Sequence, residues 1–208
     1  MASITSIPQK RLRTPLRRHW PAGGASGNEI LTSAVAVVLV GLLVAEWITV
    51  VRMQGLLSVH MFLGLVLIPP VALKLGSTGY RMINYYAGSR AYRRLGPPVL
   101  PLRLMAPVFA ASTIALLASG WLLLGLGHKS DALVTIHKLS AIVFGVTLAV
   151  HFFAYIPRVL HSVRTDWGGA RRRAVPGAGV RAMLVAAALG GGVALALALL
   201  PTISTYGH

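Results

Sequence analysis

Long apolar runs alternate with short, arginine-rich polar stretches along this 208-residue chain. Five runs stand out, at residues 30–51, 57–75, 104–126, 132–156 and 180–200. A helix rising about 1.5 Å per residue needs about 20 residues to cross the hydrocarbon core of a bilayer, so each run suffices. The pattern predicts an all-α integral membrane protein with five transmembrane helices. Ahead of the runs, residues 1–29 carry Lys10, Arg11, Arg13, Arg17 and Arg18 among Pro8, Pro15 and Pro21, with no apolar core of their own. This predicts a basic, flexible arm and not a signal peptide, because the first apolar run begins only at Ile30 and has full span length.

Composition agrees with that class. Hydrophobic residues make up 55% of the chain and charged residues 12%, a balance that excludes an ordinary soluble domain. The absence of cysteine excludes disulfides, Cys-ligated iron–sulfur clusters and covalently attached c-type haem. A net charge of +16 would fit a nucleic-acid binder, but the placement of the charge speaks against it. Five Lys and Arg lie in the N-terminal arm, six in residues 74–103 and six in residues 158–181; the opposite side has Arg52, Lys129 and Lys138. The positive-inside rule then puts the N-terminus in the cytoplasm and the C-terminal tail outside, in a cytoplasmic (inner) membrane. The basic excess serves orientation and attraction to anionic lipid, with no nucleic-acid partner expected.

The fourth run carries His137 and His151, fourteen residues apart. Fourteen steps of about 100° fall roughly 40° short of four turns, so both rings share one helix face, about 21 Å apart along the axis. The second run repeats the spacing with His60 and Lys74. Runs two and four cross in the same direction, which sets His60 level with His137 near the outer surface and Lys74 level with His151 near the inner one. An ionisable side chain inside a bilayer is costly and marks a functional site by default. Nitrogen ligands matched at two depths on parallel helices fit two stacked haems, since neutral imidazoles on opposite sides of an iron are a common way to hold b-type haem. The competing reading is histidine as polar glue between helices. No carboxylate or cysteine completes a tetrahedral zinc set at either depth. Gly64, Gly145, Gly41, Ser119, Gly120 and Gly125 would leave room for a flat macrocycle, or equally for close helix packing.

With those residues in view, the chain resembles the membrane b-type dihaem cytochromes, such as the haem-bearing helices of bc-complex cytochrome b. More loosely it resembles the small cytochrome b subunits of respiratory hydrogenases and formate dehydrogenases. The resemblance covers about residues 30–156 and implies a four-helix haem-binding bundle. By position, it implies that His60 and His137 clasp an outer haem and that His151 is one ligand of an inner haem. Lys74 stands where the fourth histidine belongs. It is a ligand itself, or it snorkels or pairs with a propionate, or the inner haem is five-coordinate or missing. Arg52, Lys129 and Lys138 outside, with Arg81 and Arg103 inside, are candidate partners for haem propionates. Glu46, the acid well inside a span, is expected to pair with Arg52, or else to serve a quinone site beside the outer haem.

The expected organisation is thus a cytoplasmic arm (1–29), a haem core (30–156), a basic cytoplasmic loop (157–179), and a fifth helix with an external tail (180–208). An interfacial helix from Tyr80 to Tyr92 is expected within the aromatic and basic inner loop, ended by Gly96-Pro97-Pro98. His19, His128, His161 and His208 are expected to be solvated, with His161 an alternative inner ligand if the fourth helix passes Pro157. The function expected is transmembrane electron transfer through two b-type haems. The chain would serve as the membrane subunit of a redox complex, with substrate chemistry in a partner subunit or at a quinone site. The rivals are a self-contained quinone or ferric reductase, a haem-free transporter or scaffold, and an anchor with the outer haem alone.

Overall fold

A computed structural model describes the backbone of residues 23–94, 96, 100–126, 130–166 and 175–206, and their side chains except at 101 and 155–166. Among these residues the order is α1 (Gly24–Val51), α2 (Met53–Tyr86), α3 (Arg90–Arg93), α4 (Leu100–Leu126), α5 (Asp131–Asp166), α6 (Ala178–Ala198) and α7 (Leu200–Ser204). Five of them, α1, α2, α4, α5 and α6, are long and apolar enough to cross a membrane. A helix closes all its backbone hydrogen bonds within itself, which is why apolar runs of this length take that form.

α2 is the hub. It packs along α1 on one side and α6 on another, and touches α4 more lightly, whereas α5 packs on α4. Leu31, Val35 and Leu39 of α1 close on Leu67 of α2, and Leu65 and Val66 close on Leu124, Ala196 and Ile203. Gly192 is what lets α6 lie against α2. A Cβ there would meet the carbonyl oxygen of Val66 and come within 3.1 Å of its Cα and carbonyl carbon. The Tyr206 hydroxyl donates to the Leu124 carbonyl at 3.0 Å, so the end of the chain caps an orphan acceptor of α4. At the other end, Arg181 is buried and donates to the carbonyls of Pro176 (2.8 Å) and Val175 (3.3 Å). Gly23, at φ 94°, admits the Pro176 carbonyl against the start of α1. α5 is the least enclosed span, with 6% of its apolar window buried against 28% in α4.

Several boundaries differ from those the sequence predicts. α1 starts at Gly24, so residues 24–29 belong to the first helix and not to the arm. α2 carries Pro69 and Pro70 inside it and runs on through Gly76 and Gly79 to Tyr86. The expected helix from Tyr80 to Tyr92 is therefore the end of α2 plus the separate turn α3, broken by Gly88 at φ 86°. α5 likewise continues past residue 156 to Asp166, into the stretch expected as loop. Residues 1–22, His19, His128, Lys129, the arginines at 171–173, His208 and the side chain of His161 lie outside the described residues.

Candidate functional site

Four helices meet around His60 and His137. Glu46 and Thr49 stand three residues apart on α1 and share a face. From α2, the His60 Nδ1 lies 2.9 Å from Glu46 Oε1 and 3.2 Å from Thr49 Oγ1. The Thr49 hydroxyl donates to the Glu46 backbone carbonyl at 2.6 Å, so its one proton is already placed. A carboxylate accepts and cannot donate, so a His60 ring with a single proton carries it on Nδ1 and keeps the lone pair on Nε2. Glu46 therefore pairs with His60 and not with Arg52, the partner expected from sequence.

The opposite wall repeats the arrangement with neutral groups. Buried Ser119 of α4 donates to the Leu116 carbonyl at 3.0 Å and sits 3.0 Å from the His137 Nδ1 of α5. Gly120 receives the same ring edge: a Cβ there would lie 3.1 Å from His137 Cε1. The two imidazoles face each other edge-on, with ring centroids 6.3 Å apart and planes at 83°. Two metal–nitrogen bonds of about 2 Å plus the radii of two rings come to about 6 Å, so the centroid spacing is compatible with one metal atom between the rings. Metal-bound histidines almost always give their other ring N–H to a carboxylate, a carbonyl or water, and Glu46, Thr49 and Ser119 offer oxygen atoms beside the Nδ1 atoms of these two rings. Among the described residues, no three His, Cys, Asp or Glu side chains converge as a metal-holding group.

At the second level, Lys74 Nζ donates to the Thr32 carbonyl of α1 at 2.8 Å. Around it runs a polar seam: Asn28 donates to the Ser77 carbonyl (3.0 Å), Ser77 to the Lys74 carbonyl (3.0 Å), and Thr32 to the Asn28 carbonyl (2.7 Å). The amine thus turns toward α1 instead of extending along α2 to its end. His151 of α5 stacks on Phe109 of α4, centroids 5.3 Å apart, and Phe109 stacks in turn on Phe144. The same four helices, α1, α2, α4 and α5, therefore supply both levels.

The expected propionate partners are scattered. Arg52 is exposed at the α1–α2 junction and Lys138 is exposed on α5. Arg103 lies over the Tyr86 ring at 5.1 Å, and Arg81 is half-buried near Tyr92. A shallow apolar groove between α2, α4 and α6, lined by Ile68, Leu117, Trp121 and Leu195, suits a hydrocarbon chain but offers no polar anchor for a quinone headgroup. Outside the spans, Tyr92 is buried with its hydroxyl lacking a hydrogen-bond partner among the described residues. Burial, then the neighbouring Tyr80, pushes this phenol above the usual tyrosine value, with Arg81 opposing.

Compared with protein-family models, curated proteins and solved structures, the chain finds no match. What it does rests on the site itself.

Proposed function

We propose that this chain is a membrane cytochrome that carries electrons across a cytoplasmic membrane through b-type haem. The single observation that carries the reading is the His60–His137 pair, edge-on at 6.3 Å with each Nδ1 held by a group on a neighbouring helix. His60 and His137 would hold the outer haem, and His151 with Lys74 the inner one. Haem, when bound, supplies one-electron chemistry between ferric and ferrous iron.

The chain's own part is placement. Glu46, Thr49 and Ser119 fix the ring orientation of the outer ligands. Phe109 braces His151, and the Thr32 carbonyl orients the Lys74 amine. The apolar helices exclude water, which lets axial ligands and burial set the reduction potential. Arg52 and Lys138 at one end, and Arg81 and Arg103 at the other, are the cations available to propionates. With the basic segments cytoplasmic, the N-terminus lies inside and the C-terminus outside. Substrate chemistry then belongs to a partner redox subunit, or to quinone exchanging electrons at a haem edge.

Sealed vesicles test this directly. With a membrane-impermeant reductant outside and an acceptor trapped inside, wild type is expected to reduce the acceptor, and His60→Ala to reduce it at least tenfold more slowly. Equal rates with wild type, His60→Ala and empty vesicles would refute it. Colourless purified protein would favour the haem-free scaffold.

A further inference from the structure

The two outer histidines are held by unlike partners, and the difference has a chemical consequence. His60 meets a carboxylate at 2.9 Å, in a span where an acid is costly to keep. His137 meets the neutral hydroxyl of Ser119 at 3.0 Å. Glu46 is enclosed by its neighbours: its Oε2 lies 3.4 Å from Thr49 Oγ1, and a Cβ on Gly64 would make ordinary contact with Oε1 at 3.7 Å. Within the described residues, its ion-pair partner is His60.

We propose that Glu46 is the positioning residue of the outer haem site and the group that sets the potential of that haem. By accepting the Nδ1–H of His60 it leaves the lone pair on Nε2, the nitrogen an iron would take. It also gives the ring partial anionic character, which makes Nε2 a stronger donor. A stronger donor stabilises ferric over ferrous iron, so the carboxylate holds the outer haem at a lower potential than a neutral partner would. Ser119 does the same for His137 only weakly, because a neutral hydroxyl polarises the ring less than a charge does. The inference rests on the haem reading above and adds to it a direction and a residue.

The test is a potentiometric titration of the haem absorbance at fixed pH on the purified full-length chain, with haem per chain counted in the same samples. Wild type, Glu46→Gln, Glu46→Leu and Ser119→Ala are compared. In Glu46→Gln, one haem is expected to shift upward by at least tenfold in its redox equilibrium constant, about 59 mV for one electron. Glu46→Leu is expected to shift it further, Ser119→Ala to shift it less, and the other haem to stay put. If Glu46→Leu fails to fold or loses the outer haem, the isosteric glutamine variant carries the comparison. Full haem content with unmoved potentials in Glu46→Gln overturns the role of Glu46 while leaving the cytochrome standing. Wild type without haem overturns both, and does so before any variant is titrated.

Discussion

If the chain holds two haems as proposed, replacing Gly120 with valine should weaken the outer site and spare the inner one. A Cβ on Gly120 would sit 3.1 Å from His137 Cε1 and 3.6 Å from its Nδ1. Non-bonded carbons rest about 3.5–4.0 Å apart, so even alanine asks the ring to give by about 0.4 Å. The ring cannot give freely, since the same edge carries the 3.0 Å contact with Ser119. Valine adds two methyl groups at that spot, and overpacking of this kind costs about 1–3 kcal/mol. Set against haem binding, that is a loss of about 5- to 150-fold in affinity. His151 lies about 21 Å further along α5 and should not feel the change. The assay is haem per chain with a reduced-minus-oxidised spectrum, on Gly120→Ala, Gly120→Val and the control Gly125→Val, where a Cβ meets nothing within 4 Å. Alanine should keep most of the outer haem, valine should hold it more weakly and with an altered spectrum, and the control should match wild type. A full, unchanged spectrum in Gly120→Val would refute the placement of His137.

Three other outcomes are expected. Gly192→Ala should lower the melting temperature in detergent by a few degrees, because the Val66 backbone cannot rotate away from a Cβ; Gly190→Ala, with open space, should not, and equal melting of the two would contradict the α2–α6 contact. Lys74→Met keeps most of the side-chain volume but removes the amine from the Thr32 carbonyl, so it should alter the inner haem spectrum alone; an unchanged spectrum strikes Lys74 from the ligands. Tyr92→Phe should be at least as stable as wild type at neutral pH, since it deletes a hydroxyl with no partner among the described residues. Because the folded phenol titrates above its unfolded value, the folded state holds the proton longer, and stability is lost as pH rises from about 10 through the raised value. Melting curves at pH 9, 10 and 11 should show a shallower alkaline decline in the phenylalanine variant; parallel declines would contradict the shift.

The five spans were legible because lipid demands long uninterrupted apolar runs, and that demand is written residue by residue. Their ends were less so. The apolar run of the second span ends at residue 75, yet α2, packed between α1 and α6, continues through Gly76 and Gly79 to Tyr86. The spacing of His60, Lys74, His137 and His151 pointed to two levels, and the structure brings the rings of His60 and His137 edge-on with centroids 6.3 Å apart. The partner of Glu46 was misread, though helical geometry held the correction. Arg52 is six residues on, about 240° round the helix, whereas Thr49 three residues on shares the face that meets His60. Similarly, Asn28 and Thr32 form a four-residue polar step on α1, the signal that a buried amine such as Lys74 faced them. Phe109 gave no sign of its stacking on His151, because an aromatic residue in an apolar run looks the same whether it meets lipid or an imidazole.

Haem per chain in purified wild type, His60→Ala and His137→Ala, each scanned reduced minus oxidised, bears most directly on whether the facing imidazoles grip an iron porphyrin. Two haems in wild type, with the same single haem missing from both variants, is the predicted result. Wild type without haem, or either variant retaining both haems with unaltered spectra, would contradict it.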